Sequence, residues 1–313
     1  MFQENVSLKK YSNYKIGGRA RYFYAAKNAD DVARAVAQAV GDKLPVFILG
    51  AGTNLLINDS GFDGLVLKPE INLLKLEGGA IRVGAGVLME DLLNFAVSKG
   101  LSGFEWAGGL PGTVGGAIRG NAGAFGGETK DNLYEVTSMD ISGNPPAGGP
   151  KILKRKNTQC KFGYRNSIFK INDGQEVIIE AVFKMKKGDK KAIRAAIEEK
   201  KEYRRTRQPL EYPNIGSIFK NVDLKRVPEK YKKAFASVVK KDPFPVMPVA
   251  HLIDQAGLKG VSCGGAMISP KHPNFIVNTL NASSSDVKQL IQLAKSTIKQ
   301  RFDLELEEEV IYV

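Results

Sequence analysis

Two glycine-bearing loops hold the residues of this chain best suited to chemistry, GAGTN at 50–54 and GGLPGTVGGAIRGNAGAFGGE at 108–128. Glycine has no Cβ, so backbone there can turn through positive φ or press directly against a ligand. Several N–H donors converging without side chains make an anion cradle suited to a pyrophosphate. The second loop lies in a stretch, 100–128, where eleven of 29 residues are glycine, a third of the chain's 33. The same stretch carries Leu101, Phe104, Trp106, Leu110, Val114, Ile118 and Phe125. A flexible linker would not carry such apolar anchors, so the segment reads as an ordered, backbone-lined ligand site. Two such loops point to a large phosphate-containing cofactor and an enzyme acting on an anionic substrate.

Competing chemistries fail on spacing. Gly50-Ala51-Gly52 invites a dinucleotide fingerprint, but the third glycine would fall on Leu55, and LLINDSGFDG does not continue as a helix. No G-K-[S/T] exists for a phosphate-binding lysine loop, and no G-x-S-x-G for a nucleophile elbow. His251 and His272 are the only histidines, with no HExxH and no Cys/His cluster, so no metal is expected. Cys160 and Cys263 read as two free thiols of a reducing compartment.

The elements around the loops follow a mixed helix and strand pattern. Residues 29–40 (ADDVARAVAQAV) show helical spacing with acids in the first turn, and 88–99 predict an amphipathic helix closed by Gly100. Residues 45–49, 64–68, 81–84 and 176–186 read as strands, 189–207 as a long charged helix, and 142–150 (SGNPPAGGP) as a turn-rich insertion. Six prolines between 208 and 248 exclude long elements there, and a second domain is expected to begin nearby. Beyond it, 249–256 reads as a short helix, 274–278 as a strand, 284–302 as a serine-capped amphipathic helix, and the alternating LELEEEVIYV as a strand.

A chain of 313 residues suggests about two domains. An apolar fraction of 43% and a charged fraction of 25% exclude wholesale disorder. No window reaches the ~18 apolar residues of a membrane span, and the N-terminus lacks the apolar core of a secretory signal, so a cytoplasmic location is expected. The net charge of +13 favours anionic partners without choosing among them. Most basic runs between 151 and 241 read as solvated helix surface, with no interleaved aromatics to suggest nucleic-acid binding.

At these residues the sequence resembles the UDP-N-acetylenolpyruvoylglucosamine reductase family. The strings that carry the resemblance run through the chain in order. They are NYKIGGRA at 13–20, ILGAGTNLLINDSGFDGLVL at 48–67, GFEWAGGLPGTVGGAIRGNAGAFGGE at 103–128, KFGYRNSIF at 161–169, NIGSIFKN at 214–221, LIDQAGLKG at 252–260, GGAMISPKHPNFIVN at 264–278 and LELEEEVIYV at 304–313. Two departures stand out: Tyr14 replaces a more usual threonine, and Val222 replaces the proline that usually follows Asn221. Ser217 follows Arg165 by 52 positions, too few for the extra substrate loop of the longer class, so the chain resembles the shorter class.

The resemblance implies an α+β fold, with a two-subdomain flavin domain of the vanillyl-alcohol-oxidase type and an α/β substrate domain. Residues 1–68, joined by the C-terminal strand 302–313, would form the first FAD-binding subdomain, 69–205 the second, and 206–301 the substrate domain. FAD would be the cofactor and NADPH the co-substrate, reducing the enolpyruvyl group of UDP-N-acetylglucosamine enolpyruvate to give UDP-N-acetylmuramate for the cell wall. The flavin loops would be Gly50, Ala51, Gly52, Thr53, Asn54 and Leu55, and then Gly109, Pro111, Gly112, Thr113, Gly115, Gly116, Ile118, Asn121, Ala122 and Gly123.

Arg165 matches the catalytic arginine, a permanent fork suited to a carboxylate, and Ser217 the proton donor. Glu309 matches the terminal glutamate, with adjacent Glu307 and Glu308 as rivals. Tyr164, Lys220, Asn221 and His272 are candidates for substrate binding. A monomer acting on a small-molecule UDP-sugar is expected, with no nucleic acid, membrane or metal partner. The alternative is another FAD oxidoreductase of the same fold with a different substrate.

Overall fold

The computed structural model describes residues 2–142, 151–241 and 244–313, so the turn-rich reading of 142–150 lies outside the described residues from 143 onward. The chain forms two compact units. One comprises Met1–Val6, Ala20–Ala51 and Phe62–Tyr203, the other Ser7–Arg19, Gly52–Gly61 and Arg204–Val313.

The first unit is built on two larger sheets, beside two two-stranded pairings. In the four-stranded sheet the strand Phe62–Pro69 lies between Arg19–Ala26 and Val46–Ile48, parallel to both, with Phe23 opposite Val66 and Val46 opposite Leu65. The helix Ala29–Gly41 connects two of these strands. Asn28 starts it by accepting the Asp31 N–H on its Oδ1 at 2.8 Å. Its apolar face, Val32, Ala35, Val36 and Ala39, packs on Leu65 and Leu67. The antiparallel five-stranded sheet runs Lys151–Lys156, Leu133–Asp140, Glu176–Lys184, Ala80–Gly84, Leu74–Glu77.

Side chains alternate across this second sheet. Val177 and Ile179 join the core that contains the helix Ala29–Gly41, while Ile178 faces the opposite core. A register shift between Ile178 and Glu180 then re-aims the strand, so that both Ala181 and Phe183 face that opposite core. There they meet the helices Met89–Lys99 and Val114–Gly120. Gly100 ends the first of these helices in the left-handed region, at φ +65°, as its position after an apolar periodic run predicts.

The second unit is built on the helix Ser284–Phe302, whose buried face packs under the antiparallel sheet Ser262–Cys263, Ala266–Ile268, Ile276–Asn278 and against the helix Val249–Gln255. Ser283 caps the long helix with a reciprocal box through Asp286. Regular pairing near the C-terminus is confined to Ile311–Tyr312, which lies parallel to Leu55–Leu56. The alternation of LELEEEVIYV holds only through Glu307, with Leu304 and Leu306 buried and Glu305 and Glu307 exposed. It then breaks, because Glu308 and Glu309 are both half-buried.

One buried ion pair stiffens the five-stranded sheet of the first unit. Arg155 grips the buried Glu176 with two bonds of 2.6 and 2.8 Å, and the Ser138 hydroxyl donates a third at 2.7 Å. The guanidinium also lies 5.7 Å from the ring of Phe169, four residues beyond Arg165. Removing only the cation leaves a buried carboxylate uncompensated, so Arg155→Met is expected to cost about 3–5 kcal/mol in urea unfolding, with Glu176→Leu in the same chain restoring most of it. A loss under ~1 kcal/mol for the single variant, the range of an exposed pair, would contradict this account of the sheet.

Candidate active site

In the first unit the two glycine loops meet. A Cβ built on Gly50 would fall 3.0 Å from Thr113 Oγ1. Thr113 caps the helix Val114–Gly120, accepting the Gly116 N–H at 3.3 Å. The first N–H groups of that helix are already used, Val114 donating to the Val87 carbonyl at 2.9 Å and Gly115 to Ala85 at 3.0 Å. The available donors lie elsewhere: the N–H groups of Gly50, Ala51, Gly109 and Gly112 have no partner among the described residues. Gly116 is exposed, and a Cβ there would meet only Thr113 Oγ1, at 3.5 Å. Trp106, just before the loop, is buried with its indole N–H unpartnered among the described residues.

In the second unit Gly52 sits at φ +66°, and a Cβ on it would fall 1.9 Å from the Tyr11 carbonyl oxygen. The N–H groups of Gly52, Thr53 and Asn54 also lack partners among the described residues. Close backbone packing and bare N–H donors fit the diphosphate of a dinucleotide cofactor such as FAD. Not all the sequence candidates present side chains to such a group. Leu55, Ile118 and Asn121 are buried, Ile118 in the core beneath the loop.

Arg165 occupies a tight turn in the first unit. Gly163 and Asn166 exchange both backbone bonds, at 3.0 and 3.1 Å, and leave Tyr164 and Arg165 as the two turn residues. Arg165 takes φ +54° there. Its guanidinium carbon lies 5.3 Å from the Tyr164 ring centroid, and both residues are half-buried. The second glycine loop reaches this turn directly, since Asn121 Nδ2 donates to the Gly163 carbonyl at 3.0 Å.

The segments that follow Ser217 and end in Glu309 pair in the second unit. The Glu309 N–H donates to the Ile218 carbonyl at 2.8 Å, the Lys220 N–H donates to the Glu307 carbonyl at 2.9 Å, and Phe219 bridges Glu308 between them. In this antiparallel register Ile218 lies opposite Glu309, and Ser217 is the next residue along the chain. Asn54 of the first glycine loop donates through Nδ2 to the Glu309 carbonyl at 2.9 Å. The rival glutamates have other partners: Glu307 pairs with Lys220, and Glu308 takes Lys295 at 2.7 Å and the Tyr312 hydroxyl.

The remaining candidates divide. Lys220 is held by Glu307, one strand residue from Phe219. The Asn221 Oδ1 accepts the Val249 N–H at 3.2 Å, at the start of the helix Val249–Gln255, and Val222 is buried and paired with Met247. His272 packs edge-on against Phe275, with ring centroids 4.7 Å apart, and its Nδ1 is buried without a partner among the described residues.

Sequence reasoning passed over Asn274, which holds the Ser217 strand from the side opposite Glu309. Its carbonyl accepts the Ile218 N–H at 2.8 Å, its Oδ1 accepts the Phe219 N–H at 3.0 Å, and its Nδ2 donates to the Phe219 carbonyl at 2.9 Å. Asn214 was passed over as well; its Oδ1 accepts the Gly216 N–H at 3.0 Å. The signal available was an asparagine amid apolar residues in NFIVN and PNIG, where a buried amide has to satisfy its bonds.

The arrangement matches known proteins over its whole length. Residues 20–144 match an FAD binding domain, and residues 208–313 match the C-terminal domain of UDP-N-acetylenolpyruvoylglucosamine reductase. UDP-N-acetylenolpyruvoylglucosamine reductases of Clostridium tetani and Caldanaerobacter subterraneus are each 36% identical to the chain, over 99% and 98% of its length and 91% of theirs. The crystal structure of UDP-N-acetylenolpyruvylglucosamine reductase from Thermus caldophilus superposes with a TM-score of 0.77 at 29% identity, covering 100% of this chain and 99% of that one.

The environment of His272 has a consequence for pH. Burial, and secondarily the positive charge of Lys240, push its imidazole from the ordinary 6.5 down to about 4. The unfolded chain therefore binds this proton at a higher pH than the folded chain, and stability falls as pH drops through that window. The urea midpoint is expected to fall between pH 6.5 and 4, and less steeply in His272→Gln. Equal slopes in the two proteins would show that His272 does not titrate in this way.

Proposed function

Because this chain belongs to the UDP-N-acetylenolpyruvoylglucosamine reductase family, we propose a role in that reaction for each residue its two units present. The chain is an FAD-containing oxidoreductase that reduces the enolpyruvyl group of UDP-N-acetylglucosamine enolpyruvate in peptidoglycan precursor synthesis. UDP-N-acetylmuramate is the product, NADPH the electron source, and a cytoplasmic monomer the acting form. Flavin binding belongs to residues 1–68 with 302–313 and to 69–205, and substrate binding to 206–301.

Bound FAD supplies the hydride that adds to the enolpyruvyl double bond. Addition at the methylene carbon leaves negative charge on the carboxylate-bearing carbon and the carboxylate, and fixed positive groups there lower the barrier. Arg165 holds that carboxylate, its planar fork matching the two oxygens. Ser217 gives its hydroxyl proton to the carboxylate-bearing carbon. A serine is too weak an acid to do this for most bases, but an enolate-like carbon is basic enough once the hydroxyl is within hydrogen-bond reach. Glu309 works with Arg165 in holding and polarising the enolate.

The observation that carries this reading is the pairing of Ile218 with Glu309, which ties the Ser217 segment to the run of terminal glutamates within the second unit. One carboxylate near the developing charge fits better than several, since like charges repel. The bare N–H groups of both glycine loops are assigned to the FAD diphosphate. Lys220 and Asn221 are assigned to the substrate diphosphate, with Tyr164 and His272 as further contacts to the substrate.

The test separates the two halves of turnover by stopped-flow. Ser217→Ala is expected to let NADPH reduce the flavin at the normal rate and to slow reoxidation by the enolpyruvyl substrate by ~10²–10⁴-fold, the usual loss of a general acid. Arg165→Ala is expected to slow the same half-reaction. Undiminished reoxidation in either variant removes that residue from its role. A purified protein that neither carries FAD nor takes it up would overturn the reading as a whole.

A further inference from the structure

Asn121 ends the helix Val114–Gly120 in the left-handed region, at φ +42°, and is fully buried. Its side chain spends both ends inside the protein. Nδ2 donates to the Gly163 carbonyl at 3.0 Å, and Oδ1 accepts the Lys130 N–H at 3.2 Å. An asparagine so committed can meet a flavin only through its backbone.

A second bond runs in parallel. The hydroxyl of Ser167, itself buried, donates to the Arg119 carbonyl at 2.7 Å. Between these two bonds lies the four-residue turn from Gly163 to Asn166, and Lys170 closes it by donating to the Arg165 carbonyl at 3.1 Å. Arg165 holds φ +54°, a region costly for a residue with a long side chain. Such a conformation persists only where the surroundings over-determine it, and here bonds before, within and after the turn do so.

We propose that Asn121, with Ser167, is a positioning residue that fixes the Arg165 turn to the helix leaving the second glycine loop. This rests on the role given above to Arg165. The clamp sets the height and direction from which the guanidinium leaves the backbone, so that it is poised before substrate arrives. It also explains why the GNAG string continues past the glycines of the loop. Asparagine is the residue that both tolerates the left-handed backbone and carries a donor and an acceptor on one short arm.

The experiment uses Asn121→Gly, which keeps the left-handed backbone available and deletes only the amide, and Ser167→Ala, a smaller deletion should the first fail to fold. Each is made in the full-length, flavin-loaded protein and again in an Arg165→Ala background. Flavin content and flavin reduction by NADPH are expected to stay normal. Reoxidation by UDP-N-acetylglucosamine enolpyruvate is expected to slow by roughly 10–100-fold, the scale of a misplacement of about 1 Å, with a smaller loss in Ser167→Ala.

Amide hydrogen exchange across 163–167 is expected to rise in both variants, with or without substrate. In the Arg165→Ala background the slowing should vanish, because a residue acting through Arg165 has nothing left to position. Reoxidation at the unsubstituted rate in Asn121→Gly, or an undiminished loss in the Arg165→Ala background, overturns the clamp. Undiminished reoxidation in Arg165→Ala alone is a different failure, which removes the role of Arg165 and this inference with it.

Discussion

The proposed chemistry rests on a short piece of antiparallel backbone. Ile218–Lys220 meets residues 307–309 through two bonds of 2.8 and 2.9 Å, joining parts of the chain almost ninety positions apart in the sequence. A serine far from a glutamate in sequence can share a substrate with it only if something fixes their strands in register. A slip of one residue would turn every side chain to the other face. Asn274 makes such a slip costly, because its three bonds to Ile218 and Phe219 saturate the other edge of the same strand. Phe219, almost wholly buried, anchors the strand in the core built on the helix Ser284–Phe302.

Around that register the charges are sorted. A run of three glutamates would repel an enolate if all three faced it. Lys220 and Lys295 each take one, and the Tyr312 hydroxyl donates to Glu308 as well, burial and the carboxylate together pushing that phenol above its usual range. The excess of positive charge, +13 overall, has a further use in attracting an anionic substrate and anionic nucleotides. Backbone donors in the glycine loops add partial charge without the conformational cost of ordering long side chains.

Much of the fold is legible in the sequence because period and punctuation agree. The runs 29–40 and 88–99 become the helices Ala29–Gly41 and Met89–Lys99, and PVFIL becomes the strand Val46–Ile48, its continuous apolar run suited to a parallel sheet. The C-terminal alternation misleads past Glu307, since the leucines that produce it serve the helix core while pairing with Ile218–Lys220 governs the glutamates. The N–H groups that start the helix Val114–Gly120 are consumed by Val87 and Ala85, and the bare ones lie in the glycine loops, where the sequence places the cradle. The glycine loops stand out by composition alone. Asn214 and Asn274 escape, and Asn121 reads only as a flavin-loop residue, because the side-chain partners of all three are backbone carbonyls and amides, which carry no residue identity to read.

The most direct measurement of the central claim is a crystal structure of the oxidised, flavin-loaded protein with UDP-N-acetylglucosamine enolpyruvate bound. The account predicts the Ser217 hydroxyl within about 3.5 Å of the carboxylate-bearing carbon, close to ordinary proton-transfer reach, with Arg165 on the carboxylate and Glu309 near both. A substrate seated with that carbon beyond the reach of Ser217, and with another acid in contact with it, would contradict the mechanism.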